Sequence, residues 1–138
     1  MSGITFRARG HPNIKARHST TLMITKDPEV SPKGDCVIGV SSEKSVADLP
    51  AELKDGIRAG RGVIIELRVG NRRETVRALG HPLLKLAHTS DMVIRKSCYV
   101  CERTLAVRAN VSAADLPRDF VDLLRDPNAI LLIKIEVI

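Results

Sequence analysis

An internal repetition constrains the fold of this chain more than any other feature. The segment GHPNIKARH at 10–18 returns as GHPLLKLAH at 80–88, and these two segments hold all four histidines. Residues 6–26 and 76–96 align without a gap and share 9 identities in 21 positions. Self-similarity at a fixed spacing indicates a fused tandem repeat, in which neighbouring units bury their apolar faces against each other.

Two further motifs occur once in each half. They are ADLP at 47–50 and 114–117, and a closing apolar run at 63–69 and 129–137. A unit of about 65 residues buries too little apolar surface to be comfortably stable alone. We therefore expect one domain over 1–138, made of two repeats at about 4–69 and 74–138.

The residue patterns within each half predict three strands, a helix and a closing strand. The predicted strands lie at 4–8, 20–25, 36–40 and 63–69, and again at 74–78, 91–95, 104–109 and 129–137. The helix is expected to begin at ADLP, where Asp48 or Asp115 accepts from first-turn amides and proline is tolerated. Its apolar face is predicted at Leu49, Leu53 and Ile57, and at Leu116, Phe120, Leu123 and Leu124. The closing strands, flanked by helix, are expected to be well buried.

These elements define a mostly β protein, α+β by content, of two β-β-β-α-β repeats with two short helices. Two such units related by a pseudo-twofold axis share one core, as the subunits of a symmetric dimer do. Barrel closure would remove the free edges of the strands, and a sandwich would bury the same faces. The sequence leaves barrel and sandwich open.

The number of cysteines and the hydropathy of the chain indicate the cellular compartment. No apolar run approaches the roughly 20 residues that span a bilayer, and the N-terminal residues lack a secretory signal. We expect a cytoplasmic protein without membrane contact. Three cysteines form an odd set, which argues against a disulfide framework. Cys98 and Cys101 spell CxxC; structural thiols are favoured, with a redox pair and metal ligation as alternatives.

Basic charge is the first indication of a partner. The net charge is +6 and the pI is about 9.6, and the cations concentrate in the strands and the GHP segments. The expected phosphate-binding residues are Arg7, Arg9, Lys15, Arg77, Lys85, Arg95 and Lys96. Because aromatic residues are scarce, phosphate contacts would supply most of the affinity for a nucleic acid. RNA or a ribonucleoprotein, a small anionic ligand, and solvated strand faces are the alternatives.

The repeated histidines allow three interpretations. The rings of His11, His18, His81 and His88 could lock irregular loops through backbone hydrogen bonds. They could instead line a catalytic pocket, since imidazole titrates near neutral pH, or ligate a metal, although HPx5H is not a standard zinc spacing. Asp91 could orient an imidazole or cap a turn. No cofactor is expected, a metal ion stays possible, and whether the protein is an enzyme is open.

Four longer phrases indicate a family. ARGHPNIKARHSTTLMITKD, PKGDCVIGV, GHPLLKLAHTSDMVIRKS and VCERTLAV together resemble the archaeal domain-of-unknown-function family 371 over essentially the whole chain. The resemblance implies a mostly β fold and an archaeal, cytoplasmic origin, and it implies no activity.

The leading hypothesis is a non-enzymatic basic domain that binds RNA or another polyanion through its strands and GHP loops. The alternative is a small enzyme or metal-binding protein with a site lined by the histidines and Asp91. An assembly subunit without chemistry is a third possibility.

Overall fold

The computed structural model describes residues 3–138, which form eight strands and two short α-helices. The strands are β1 (Gly3–Arg9), β2 (Thr21–Thr25), β3 (Val37–Gly39), β4 (Gly62–Val69), β5 (Arg72–Leu79), β6 (Asp91–Arg95), β7 (Thr104–Ala106) and β8 (Ile130–Val137). The helices are α1 (Ala51–Arg58) and α2 (Arg118–Leu124), each preceded by a 3₁₀ helix, Val46–Asp48 or Ala113–Asp115. The predicted mostly β composition with two short helices is confirmed.

The strands form two four-stranded sheets. The long-strand sheet has the order β1-β8-β4-β5 and is antiparallel throughout. The short-strand sheet has the order β3-β2-β6-β7, with an antiparallel pair at its centre and parallel pairs at its edges. Single antiparallel bridges, Arg9 to Val40 and Leu79 to Val107, link the edges of the two sheets.

The closed barrel that the sequence allowed is wrong for residues 3–138. After each linking bridge the chain turns away through a residue with positive φ, Ser41 at 50° and Arg108 at 53°. The contact between the sheets therefore stops at one bridge on each side, and no continuous ladder closes around the core.

Strict alternation of side chains builds the long-strand sheet. In β1, Phe6 and Ala8 are buried while Arg7 and Arg9 are exposed. Contrary to the prediction that they are well buried, β4 and β8 alternate in the same way. One face of the sheet lies on the core and the other faces water, as is common in antiparallel sheets.

The helices begin later than the sequence predicts. Asp48 and Asp115 are the last residues of the 3₁₀ helices, where each carboxylate accepts from the backbone N–H of Ser45 or Ser112 at 2.9 Å. The chain is then extended at Leu49 and Leu116, because the following residue is a proline, which disfavours helical backbone before it. Leu123 is not a core residue; it is 42% exposed, because the buried face of α2 is formed by Phe120, Val121 and Leu124.

The GHP loops, residues 10–18 and 80–88, are held by the helix of the opposite half of the chain. A Cβ on Gly10 would overlap the carbonyl oxygens of Leu124, the last residue of α2, and of Asp126, and one on Gly80 would overlap that of Ile57 in α1. The close approach requires glycine at both positions.

Two arginines complete this attachment. From α2, the Arg118 guanidinium donates to the carbonyls of Lys15 and Ala16, at 3.2 and 2.9 Å. From α1, Arg58 donates to those of Leu84 and Lys85, at 2.9 and 2.6 Å. Because β1 and β5 run in opposite directions across the sheet, the two loops lie at opposite ends of it.

Candidate nucleic-acid interface

The outward side of the long-strand sheet forms a basic surface, which we call the arginine face. Within residues 3–138 its charged members are the cations Arg7, Arg9, Arg68, Arg73, Arg77 and Lys134 and the carboxylates Glu66 and Glu136. All of them occupy the alternate positions of their strands that point away from the core, so the strand period fixes them on one face. Cations outnumber carboxylates on this surface by six to two.

Strand register places three of these arginines in one row. Arg7 lies opposite Leu132, Leu132 lies opposite Arg68, and Arg68 lies opposite Arg73, so the row crosses all four strands. With strands about 4.8 Å apart, the row from β1 to β5 is about 14 Å long. A row of this length can contact several phosphates of a nucleic-acid backbone.

The positive charges of the arginine face are only partly neutralised by carboxylates. Arg73 Nε lies 3.6 Å from Glu66 Oε1, and Arg7 Nε lies 3.9 Å from Glu43 Oε1. The Lys134 ammonium pairs with Glu136 at 2.8 Å, and this carboxylate raises the pKa of Lys134. Arg68, in the middle of the row, forms no ion pair within residues 3–138.

A cavity of about 320 Å³ lies at the edge of the arginine face. Its lining residues come from β1, from the segment after β3 and from the start of β8; they are Arg7, Ala8, Arg9, Ser41, Glu43 and Ile130. The Glu43 carboxylate accepts from the backbone N–H of Arg7 at 2.7 Å. At the β5 edge of the sheet Asn110 makes the matching contact: its side-chain oxygen accepts from the backbone N–H of Arg77 at 2.9 Å.

The seven predicted phosphate-binding residues do not share one surface. Arg7, Arg9 and Arg77 lie on the arginine face, whereas Lys15 and Lys85 are exposed in the GHP loops at opposite ends of the sheet. Lys15 lines a cavity of only about 50 Å³ with Arg17, Arg118 and Arg125.

The remaining two lie at the end of β6 and already have partners. Lys96 pairs with Asp115 at 2.5 Å, which matches the pair of Lys26 with Asp48 at 2.7 Å. The lysine ammonium and the backbone N–H of the preceding serine lower the pKa of both Asp48 and Asp115 to about 2. Arg95 donates to Thr104 Oγ1 at 3.0 Å and to Cys101 Sγ at 3.4 Å.

Sequence reasoning missed Arg68, Arg73 and Lys134. For Arg68 and Lys134 a signal was present, because polar residues alternate with apolar ones near the end of each closing run, at Glu66 and Arg68 and at Lys134 and Glu136. Period-two alternation of this kind is typical of a strand with one face in water. The overall apolar character of the runs obscured it.

All four histidine rings hold loop backbone. Each Nδ1 accepts from the N–H two residues farther on; the donors are Asn13 at 3.0 Å, Thr20 at 3.2 Å, Leu83 at 3.1 Å and Ser90 at 3.3 Å. His88 Nδ1 also accepts from the Asp91 N–H at 2.9 Å. A nitrogen that accepts is unprotonated, so these bonds assign the neutral tautomer with hydrogen on Nε2. His11 Nε2 lies 2.9 Å from Glu29 Oε2, which accepts that hydrogen.

The Asp91 carboxylate contacts other groups than imidazole. It accepts from Thr25 Oγ1 at 2.7 Å and from Arg103 Nη1 at 3.0 Å. Asp91 therefore contributes to the His88 loop through its backbone N–H, while its side chain joins the two central strands of the short-strand sheet to the segment before β7.

Comparison with known proteins identifies the family. Residues 6–138 match the family described as Domain of unknown function (DUF371). The chain belongs to this family. An uncharacterised protein of the archaeon Methanocaldococcus jannaschii is 43% identical over 120 residues, which cover 87% of this chain and 89% of the relative. The resemblance predicted from the four sequence phrases is confirmed.

Residues 3–138 of this DUF371 member lack two features. No three His, Cys, Asp or Glu side chains in this part of the chain come together as metal ligands. None of its helices combines the length and the apolar character needed to cross a bilayer.

Proposed function

We propose that this protein binds RNA through the arginine face, by contacts to phosphates, and catalyses no reaction there. The observation that supports the proposal most directly is the row of Arg7, Arg68 and Arg73 across the four strands. Phosphate oxygens are the acceptors that the planar guanidinium fits best, because two parallel N–H groups can donate to one phosphate.

Repulsion between neighbouring arginines on this surface favours a polyanionic partner. Like charges directly opposite on neighbouring strands destabilise a sheet, and Arg68 and Arg73 are such a pair. A phosphate backbone lying across the row would remove this repulsion and release the counterions condensed on the RNA. Solvated charges for solubility alone would be expected to alternate in sign rather than to stand opposite one another.

The distribution of aromatic residues indicates whether the protein would contact the bases or the backbone of the RNA. Phe6 and Phe120 are buried, and Tyr99, which is 61% exposed, belongs to the segment after β6, away from the long-strand sheet. Described residues thus offer no row of rings on which bases could stack. We therefore expect contacts to the backbone, steep salt dependence and little sequence preference.

We further propose that the domain is a sandwich of two fused repeats, about 4–69 and 74–138, and that both halves contribute to the arginine face. Matched contacts support this: the Ser45–Asp48 and Ser112–Asp115 caps, the Lys26–Asp48 and Lys96–Asp115 pairs, and positive φ at Ala16 and Leu86. Arg7 and Arg68 come from the first half and Arg77 from the second.

The test is the salt dependence of RNA binding. Binding of a fluorescein-labelled single-stranded RNA of mixed sequence is measured by anisotropy between 50 and about 300 mM KCl. Each phosphate contact contributes about −0.7 to the slope of log K against log salt. Replacing Arg7, Arg68 and Arg73 by threonine, which strands favour, should reduce the slope by about 2 and weaken binding at every sequence tested.

A charge-matched variant provides the control. Arg17, Lys33 and Arg125 are exposed and lie outside the long-strand sheet, so their replacement by serine lowers the net charge equally. If the slope of log K against log salt falls equally in both variants, or if wild type fails to bind RNA at 50 mM KCl, the proposal is wrong. Binding of inorganic polyphosphate without binding of RNA would also contradict it.

A further inference from the structure

The segment between β6 and β7 contains a second chemical feature, outside the arginine face. Cys98 and Cys101 lie in this segment, three residues apart and outside regular secondary structure. Cys98 is exposed and Cys101 is half-buried, and both are free thiols. The CxxC spacing permits a disulfide between the two cysteines, as in thiol–disulfide oxidoreductases.

Two side chains contact the Cys101 sulfur. Arg95 Nη2 donates to Sγ at 3.4 Å, and the Thr104 hydroxyl lies 3.4 Å from it. Arg95 is itself fixed, because its Nε donates to Thr104 Oγ1 at 3.0 Å and its guanidinium stacks 4.9 Å from the centre of the Tyr99 ring. A positioned cation and hydrogen-bond donor beside a thiol stabilise the thiolate.

Positive charge near Cys101 comes from two arginines, while the adjacent Glu102 carries an exposed carboxylate. Arg95 comes from β6 and Arg103 from the same segment as the thiol, and the carboxylate nearest to Arg103 is Asp91, which it binds. Although partial burial raises the pKa of Cys101, hydrogen bonds from Thr104, from the Arg103 N–H and from Arg95 outweigh burial and lower the pKa to about 7. Cys36 behaves oppositely, since burial raises the pKa of its thiol.

We propose that Cys101 is a peroxide-reactive thiol and that Cys98 resolves its oxidised form into a Cys98–Cys101 disulfide. The Cys101 thiolate attacks one oxygen of hydrogen peroxide, so that an S–O bond forms, the O–O bond breaks and hydroxide leaves. The Cys98 sulfur then attacks the sulfenic sulfur, so that the S–S bond forms and the S–O bond breaks. The hydroxyl leaves with the Cys98 proton as water. The two thiols lose two electrons, which reduce the peroxide.

Oxidation also changes the surroundings of Arg95. A disulfide sulfur carries no charge and accepts hydrogen bonds weakly, so Arg95 loses the anion that holds it beside Thr104. The guanidinium is then retained by Thr104 and by the Tyr99 ring alone. The reduced and oxidised proteins should therefore differ at the end of β6 and be the same on the arginine face.

The chain itself supplies the reference thiols for a test. Native protein is alkylated with a limiting amount of iodoacetamide between pH 5.5 and 9.5, and the modification of each cysteine is followed by peptide mass spectrometry. Cys101 should react with a midpoint near pH 7, whereas free cysteine in the same buffer has a midpoint near pH 8.5. Cys36 should react last, because it is the most buried of the three.

Two variants distinguish a stabilised Cys101 thiolate from a thiol that reacts only because it is accessible. Thr104→Val preserves the shape of a fully buried side chain and Arg95→Gln removes the cation; each should raise the Cys101 midpoint by about half a pH unit or more. Treatment of wild type with equimolar hydrogen peroxide should yield the Cys98–Cys101 disulfide, while Cys98→Ser should stop at the sulfenic acid, trapped by dimedone. A Cys101 midpoint equal to that of free cysteine, or a wild-type product without that disulfide, would overturn the proposal.

Discussion

Arg68 lies directly opposite Arg73 on the exposed face of the β4–β5 pair, and of the two only Arg73 has an ion-pair partner within residues 3–138, Glu66 at 3.6 Å. Replacing Arg68 by threonine should raise the free energy of unfolding by about 0.2–1 kcal/mol at low salt, because a like-charge pair is removed. The gain should vanish near 1 M salt, where the Debye length falls to about 3 Å. Urea unfolding at two salt concentrations measures both effects.

Arg7 provides the matched control for this prediction. Its neighbour across the β1–β8 pair is Leu132, so Arg7→Thr removes no direct repulsion. The Arg7 variant should show no salt-dependent gain in stability. Equal gains in both variants would mean that net charge, rather than the Arg68–Arg73 pair, sets the stability.

The paired carboxylates of Asp48 and Asp115 should make stability depend on pH in the acid range. Their pKa values are lowered to about 2 in the folded protein, compared with about 3.9 in an unfolded chain. The stabilisation is therefore complete above about pH 4 and is lost as the pH falls towards 2.

Replacing both aspartates by asparagine should flatten this part of the pH profile. Urea unfolding at pH 5 and at pH 2.5 measures the difference, and Glu52→Gln, on the exposed side of α1, controls for the loss of a carboxylate. If the double variant loses as much stability between these pH values as wild type does, the two ion pairs contribute nothing.

The attachment of the second GHP loop depends on the glycine at position 80. Gly80→Ala places a Cβ on the carbonyl oxygen of Ile57, which should cost about 3 kcal/mol or more, because backbone must move. Gly60→Ala is the comparison, since a Cβ there meets open space and only the positive φ is unfavourable, at a cost of about 1 kcal/mol. Thermal or urea unfolding of the two variants should rank them in this order.

The His88 ring should be replaceable by asparagine and not by alanine. Its Nδ1 accepts from the N–H groups of Ser90 and Asp91, and an asparagine oxygen can accept from the same positions. His88→Ala should cost about 1–2 kcal/mol, because it leaves backbone donors without a partner, and His88→Asn less than half of that.

Hydrogen exchange distinguishes this role from a general loss of packing. The amide hydrogens of Ser90 and Asp91 should exchange faster in the alanine variant and at the wild-type rate in the asparagine variant. Lys85→Ala, in the same exposed loop, should leave both rates unchanged.

Much of the fold could be predicted from the sequence, because local patterns determine it. The eight strands overlap the segments that the residue patterns predicted, although β7 ends at Ala106 rather than at 109, and the GHP and ADLP motifs mark the loop and helix of each half. The start of α1 was misplaced because two short-range signals overlap there. Asp48 belongs to the cap of a 3₁₀ helix, and the N-cap of the α-helix is Pro50, two residues beyond the predicted cap.

The sequence by itself determined the order of strands and helices, the repeated loops and which histidines can hold a turn, since these follow from neighbours along the chain. Only the tertiary structure decided which charges meet. Register between strands distant in sequence put Arg7, Arg68 and Arg73 into one row and left Lys96 beside Asp115. Electrostatic interaction depends on distance in space, and no local pattern encodes the pairing of β1 with β8 or of β8 with β4.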